Sequence, residues 1–545
     1  MAVASILWAY RWSHPKANGR LPPGSLGLPL LGETMQFFAP NPTCDVSPFV
    51  KDRVNRYGTI FKTSVVGRAV VVSADPDLNH YIFQQEGKLF ESWYPATFTE
   101  IFGRDNVGSL HGFMYKYLKT LVLRLYGQEN LRAVLLADTD TACRATLASW
   151  AGQPSVELKD GLSTMIFDIT AKKLIGYEPT KSSKSLRKNF VAFIRGLISF
   201  PVNIPGTAYH ECMKGRRNAM KVLKRMMRER MADQGRQRQD FLDVMIEELR
   251  REKPVLTETV ALDLMFVLLF ASFETTALAL TLGIRLITEN PRVLDALTEE
   301  HEAIVRDRKD PDAGLTWAEY KSMTFTSQVT LEIARIANIV PGIFRKALQD
   351  IEFKGYTIPA GWAVMVCPPA VHLNPEIYED PLAFNPWRWQ DKMEITGGTK
   401  HFMAFGGGLR FCVGTDLSKV LMATFIHCLV TKYRTVRATV GGSAASSSPR
   451  RTSKPWRSGW RHPEDVAIEN AFWAKRTARR REERDDGRRR KALAISQCEV
   501  VNNDGTSFFG SDDERWDDIW LDTSDIEEEE EEEEDDNEKV LVVAP

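Results

Sequence analysis

The sequence predicts a mainly α-helical fold with a small β region, followed by a disordered C-terminal tail. Three observations carry that expectation. Long helical patterns fill the middle of the chain, at Met213–Asp233, Asp240–Arg251 and Glu258–Asn290. Strand-like stretches are short and few: Ile60–Val66 and Ala69–Ser73 near the start, then Ile351–Tyr356 and Ala363–Cys367 later. After residue 436 the patterning gives way to low complexity and blocks of charge.

Bulk composition agrees with a large globular body. Of 545 residues, 43% are hydrophobic and 26% charged, which excludes a collagen-like chain, a wholly disordered one and a small disulfide scaffold. The seven cysteines (Cys44, Cys143, Cys212, Cys367, Cys412, Cys428, Cys498) are odd in number and never spaced C-x-x-C. A zinc ribbon is therefore unsupported, and a reducing compartment is expected. The net charge of −1 conceals two materials: residues 437–545 hold 18 Lys and Arg against 27 Asp and Glu, a balance of −9 that leaves +8 for residues 1–436.

Taken in order, residues 1–20 open with the mostly apolar Ala2–Tyr10, followed by Arg11, Lys16 and Arg20. A bilayer-spanning helix needs about 20 apolar residues, so this run is either a frayed terminus or a shortened membrane anchor. Residues 21–33, beginning Leu21-Pro22-Pro23-Gly24, cannot continue a helix and read as a stiff hinge. The body spans 34–436. Its clearest helix contains Leu264–Ile284, almost continuously apolar, with Glu274 at the centre among Ser272, Thr275 and Thr276. A carboxylate at mid-bilayer costs about 2.5–3.5 kcal/mol, so a central core helix is expected in preference to a transmembrane one. There, a buried acid beside hydroxyls is a candidate for moving protons.

The strongest chemical signal is Phe405-Gly406-Gly407-Gly408-Leu409-Arg410-Phe411-Cys412-Val413-Gly414. Three glycines permit backbone to press against something flat. Cys412 precedes a helical pattern over Thr415–Ile426, so its sulfur meets unpaired amides that favour a thiolate. Arg410 adds a cation for a carboxylate. A sulfur ligand, flat-ligand glycines and an anion partner together describe haem iron held by thiolate. The competing reading makes Cys412 a nucleophile with His401 or His427 as base, but neither histidine has an evident orienting acid.

This loop resembles, at every fixed position, the FxxGxRxCxG haem signature of the cytochrome P450 monooxygenases. The chain looks like a plant member of the branch acting on sterols, brassinosteroids and triterpenoids, and the resemblance covers roughly residues 21–434. It implies the cytochrome P450 fold, haem b as cofactor with Cys412 as metal ligand, and Phe405, Arg410 and Gly414 beside it. The family's ExxR motif is matched by Glu332-Ile333-Ala334-Arg335, with Arg388 in Pro386-Trp387-Arg388-Trp389 as third partner, a cluster bracing the haem loop. The distal helix motif resembles Ala271-Ser272-Phe273-Glu274-Thr275-Thr276, with Ser272 where a glycine is usual. By resemblance, Thr275 and Glu274 would deliver protons to the oxygen side. The family's Trp/His-x-x-x-Arg motif survives only as Tyr115 and Lys119, and Arg345 matches a further propionate ligand.

The resemblance also implies electrons from NADPH through a flavoprotein reductase, a small apolar substrate, and residence on the cytosolic face of the endoplasmic reticulum membrane. The basic body is consistent with an acidic partner. Past Tyr433-Arg434 the resemblance stops, where a substrate-lining hairpin would follow. A low-complexity stretch, a basic run with Arg479–Arg481 and Arg488–Lys491, and the acidic run Glu527–Asp536 take its place. Such blocks repel themselves, and interleaved acids argue against nucleic-acid binding. A fused or misread exon would explain the switch and leave a sheet short of strands. The alternative functions are then a catalytically silent haem binder and an interaction protein driven by its tail.

Overall fold

The computed structural model describes residues 12–437 except 13–14, 16, 30, 40, 42, 104, 152, 154–155, 178–182, 198, 234–239 and 391–397, together with residues 454–458 and 539–542. The apolar Ala2–Tyr10 run and the charged blocks of the tail lie outside the described residues.

Helices dominate, and the expected strands are present with changed bounds. A five-stranded sheet runs in the order Ile60–Val65, Arg68–Ser73, Ala363–Val366, Ile343–Ala347 and Phe90–Ser92. The last two escape a pattern search because one is three residues long and the other carries Arg345 and Lys346 among its apolar residues. The stretch Ile351–Tyr356 is not one strand. Lys354 and Gly355 both take left-handed dihedrals (φ 47° and 77°), which folds the chain into a hairpin of Ile351–Phe353 against Tyr356–Ile358. The Pro/Gly hinge is docked on the sheet, Lys62 N donating to Pro23 O at 2.8 Å, and Arg20 just before it accepts from Thr357 N of the hairpin at 2.7 Å.

The boundary expected after residue 436 falls inside the strand Tyr433–Arg437, which pairs in parallel with Lys454–Ser458. Lys539–Val542 lies antiparallel to that strand and to Val156–Glu157. Two tail segments therefore supply strands to a sheet that the sequence leaves short of them.

The central helix runs Glu258–Glu289, capped by the Thr257 hydroxyl on Val260 N and followed at once by Pro291, the first residue of the next helix. Phe266, Leu269, Phe273 and Leu280 are fully buried, between helices Leu158–Ile175, Ala208–Ala232, Thr324–Ala337 and Thr415–Lys432. Among the described residues it is the one helix long and apolar enough to cross a bilayer, and it lies within the core. The expected Met213–Asp233 helix starts earlier, at Ala208, where Thr207 caps it. The Asp240–Arg251 pattern shortens to Phe241–Leu249 because the Asp240 carboxylate caps Asp243 N.

Behind the cysteine loop sits a closed polar cluster. Arg335 donates to both Glu332 oxygens (2.9 and 2.8 Å), and both side chains are fully buried. Arg388 Nε reaches Glu332 at 3.0 Å, Trp389 Nε1 at 2.9 Å and Asn385 N at 3.1 Å. Arg335 also donates to the carbonyls of His372 and Pro381, each at 2.7 Å. His372 carries the cluster into the loop: its Nε2 accepts from Met403 N at 3.0 Å, while Nδ1 faces Asn338 Oδ1 at 3.1 Å. That pattern requires the neutral tautomer protonated at Nδ1, and burial holds His372 down to about 3.

Glu332→Gln leaves two buried guanidiniums without their counter-charge. A loss of about 3–5 kcal/mol is expected, read as a lower urea midpoint; an unchanged midpoint would refute the bracing role. A second expectation concerns acid. Burial depresses His372, His427 (to about 4) and His301 below the ordinary histidine value. Below about pH 6.5 the unfolded chain takes up protons that the folded one refuses, so stability is full above that pH and falls beneath it. The thermal midpoint should drop between pH 7 and pH 5, less steeply in His372→Asn, and a flat wild-type profile contradicts this.

Candidate active site

Between the central helix and the cysteine loop lies a cavity of about 260 Å³ with a mostly apolar lining. Ala271, Thr275, Thr276 and Ala279 face it from one side. These positions share one face because residues three and four apart stack along a helix. Phe405, Gly406, Gly407, Arg410 and Cys412 face it from the other side, with Val340, Ile343 and Arg345 along an edge.

The loop owes its shape to local contacts. Gly406 and Gly408 take φ of 74° and 61°, a 3₁₀ turn follows over Gly408–Arg410, and Cys412 N donates to Phe405 O at 3.0 Å. The sequence reading assigns all three glycines to a flat ligand; the structure gives two of them a second reason, although Gly407 also lines the cavity. A Cβ on Gly408 would lie 2.1 Å from Phe83 O and one on Gly407 2.6 Å from the Phe83 ring, whereas one on Gly406 meets nothing nearer than 3.9 Å. Two of the glycines thus seat the loop on the Pro76–Gln84 helix, and Gly406 opens to the cavity.

Cys412 stands just before the Thr415–Lys432 helix, whose N-cap Gly414 offers no side-chain bond. Its sulfur is open to the cavity yet walled by protein on the other sides. Burial pushes the thiol above its ordinary value, opposed by hydrogen bonds from the Gly414 amide and from Thr415 and by the Lys119 ammonium. Gly414 therefore acts on the sulfur and not on the cavity wall. Lys119 Nζ donates to Leu409 O at 2.6 Å and Tyr115 OH to the same oxygen at 3.4 Å, so both support the loop from behind and neither lines the cavity. The Arg410 guanidinium lies 4.1 Å over the Tyr115 ring.

On the opposite wall Thr275 lines the cavity, its hydroxyl donating to Ala271 O at 2.8 Å. Glu274, one residue and about 100° further round the helix, is not in the lining. Burial raises its pKa, against the fields of Lys159 and Arg187 on neighbouring helices. Two residues that the sequence reading missed join the site. Ser418 lies 3.1 Å from Thr276, tying the two cavity-forming helices together. Glu86 lies 2.6 Å from both Arg345 Nε and Arg410 Nε. No local pattern marks Glu86: it follows a short helix and reads as a surface turn, and its partners stand hundreds of residues away.

The donor set discriminates among cofactors. Among the described residues no group of three or more His, Cys, Asp or Glu could hold a metal ion. The one cysteine in the lining binds a metal only if the metal brings its other ligands, as a macrocycle does, and two arginines in the lining suit that macrocycle's carboxylates. The nucleophile alternative fails on position. Neither His401 nor His427 lines the cavity, and His427 is engaged by His301 Nδ1 at 3.0 Å and by Arg308 at 3.3 Å.

Comparison with known proteins agrees. Residues 22–440 match the family model for cytochrome P450. Over 435 residues the chain is 82% identical to a rice protein named cytochrome P450 87A3, covering 79% of this chain and 85% of that one. It is 42% identical to beta-amyrin 16-alpha-hydroxylase of Maesa lanceolata (82% and 94% covered) and 43% identical to cucurbitadienol 11-hydroxylase of Siraitia grosvenorii (79% and 90%). The solved structure of retinoic acid-bound cyanobacterial CYP120A1 superposes with a TM-score of 0.68 at 26% identity, over 76% of this chain and 93% of that one. These likenesses do not favour a silent haem binder or a tail-driven interaction protein. The chain belongs to the cytochrome P450 family and is a monooxygenase that uses haem b, with electrons passed from NADPH by a reductase and an apolar substrate.

Proposed function

We propose that this monooxygenase hydroxylates a triterpenoid or sterol, with Cys412 as the protein ligand of its haem iron. One observation carries the reading: Cys412, the one cysteine in the lining of an apolar cavity, stands opposite Thr275. The names of the relatives, which include hydroxylases of beta-amyrin, cucurbitadienol and cholesterol, support the substrate class.

Each residue then has a role that follows from its place. Cys412 supplies the thiolate, and the Gly414 amide and Thr415 temper its donation through hydrogen bonds. Arg345 and Arg410 take the propionates, while Phe405 and Gly406 pack at the loop face. Bound there, haem b would supply the dioxygen chemistry that inserts one oxygen atom into an unactivated C–H bond. Thr275 holds a hydroxyl proton at the cavity wall. Glu274 feeds it from outside the lining, where burial raises its pKa and favours the protonated carboxyl more than water would. The apolar walls keep bulk water from the reacting carbon. Glu332, Arg335 and Arg388 keep the loop in place.

The same reading puts the chain at a membrane surface, on the cytosolic face of the endoplasmic reticulum, as a proposal. Leu28, Leu31, Met35, Phe38 and Val66 are exposed, and the Gly32–Val65 bridge and the Val66 N to Thr34 Oγ1 bond (2.7 Å) gather their segments together. Exposed apolar side chains on linked segments of this kind suit a lipid surface.

Two measurements test the reading. Cys412→Ala should abolish the reduced carbon monoxide spectrum of thiolate-bound haem, and its survival removes the ligand assignment. Titration with beta-amyrin, cucurbitadienol and cholesterol should produce a low- to high-spin change with at least one of them. If none shifts the spin state of haem-loaded protein, the substrate class is wrong.

A further inference from the structure

We propose that Glu86 is a positioning residue of the haem carboxylate site: it spans Arg345 and Arg410, orients both guanidiniums, and removes one unit of positive charge from the pair, holding the haem reduction potential down. The inference rests on the reading of these two arginines as propionate partners and goes beyond it.

The geometry is unusual for a surface-turn glutamate. Glu86 follows the Pro76–Gln84 helix, yet its side chain is only 3% exposed. One carboxylate oxygen meets Arg410 Nε at 2.6 Å and accepts from Ser92 N at 3.2 Å; the other meets Arg345 Nε at 2.6 Å. The Arg345 contact is out of line for a hydrogen bond, so it acts as charge on charge. Arg410 is held further by the carbonyls of Val107 (3.1 Å) and Leu110 (2.6 Å) and by His111 Nδ1 (3.1 Å), which leaves its plane no freedom. Arg345 sits on the strand Ile343–Ala347, opposite Ser92, with one donor on the Phe344 carbonyl at 2.8 Å. Both guanidiniums line the cavity.

The charges can be counted. Arg345 and Arg410 give two positive charges at the cavity, and Glu86 reduces the pair to one, while Lys119 stands outside the lining. Nearby Glu91 and Lys346 pair with each other at 2.5 Å and cancel. A carboxylate this well buried is screened less than a surface one. Reduction adds an electron at the iron, so each extra positive charge beside the macrocycle favours the reduced state.

The test is the reduction potential of the haem-loaded full chain. Glu86→Gln should raise it, and Glu86→Asp, which keeps the charge, should stay near wild type. A merely structural role would lower the thermal midpoint without moving the potential. Folded, haem-loaded Glu86→Gln with a wild-type potential overturns the proposal. Should that variant not accumulate, Arg410→Gln and the double variant Glu86→Gln/Arg410→Gln are compared in its place. Arg410→Gln should lower the potential, and the double variant should return it towards wild type. A double variant that matches Arg410→Gln, or that takes up no haem while Arg410→Gln does, also overturns it. Wild-type protein without a thiolate-haem spectrum, by contrast, removes the haem assignment itself.

Discussion

The site depends on a buried charge that the fold cannot leave unpaired. Glu332 is sealed from water, and a lone carboxylate there would cost several kcal/mol. It is tolerated because five donors from Arg335, Arg388, Trp389 and Asn385 converge on it. Arg335 in turn spends its remaining donors on loop carbonyls, and the neutral His372 ring passes the constraint to Met403 N. From there the Met403 carbonyl accepts from Gly406 N at 2.9 Å, at the start of the cysteine loop. A chain of hydrogen bonds therefore joins a helix interior to the bend that presents the sulfur. Satisfied polar networks of this type favour one arrangement, since any slip leaves a buried charge exposed to apolar surroundings.

On the other wall, one helix places the two residues proposed to handle protons on different faces. Thr275 shares the cavity face with Ala271 and Ala279, and small residues there leave room above the loop. Glu274 lies outside the lining, within the fields of Lys159 and Arg187, which oppose the rise that burial gives its pKa. The Thr276–Ser418 contact keeps this helix in register with the helix that follows Cys412. Both walls are thus referenced to one another through a bond that neither reacting face needs for itself.

Polar residues near the loop separate into two classes that the sequence could not distinguish. Lys119, read as a propionate partner by resemblance, and Tyr115, read with it as a haem contact, lie against the Leu409 carbonyl. Arg345 and Arg410 line the cavity and share Glu86. Spacing along a helix shows which residues share a face, but not what that face meets. The same limit explains the misread strand at Ile351–Tyr356, where the left-handed pair Lys354-Gly355 turns an apolar run back on itself.

Much of the chemistry was nevertheless readable before any coordinates. The order of glycines, arginine and cysteine at 405–414, the Glu332–Arg335 spacing, and the acid and hydroxyls within an apolar helix are local patterns. Each reports chemistry that depends on neighbours a few residues away. The tertiary structure alone decided which charges meet. Glu86 finds two arginines more than 250 residues distant, His372 bridges the buried cluster to the loop, and tail strands complete a sheet beside Val156. Such pairings follow from how helices and strands pack in space, and a linear pattern carries no record of them.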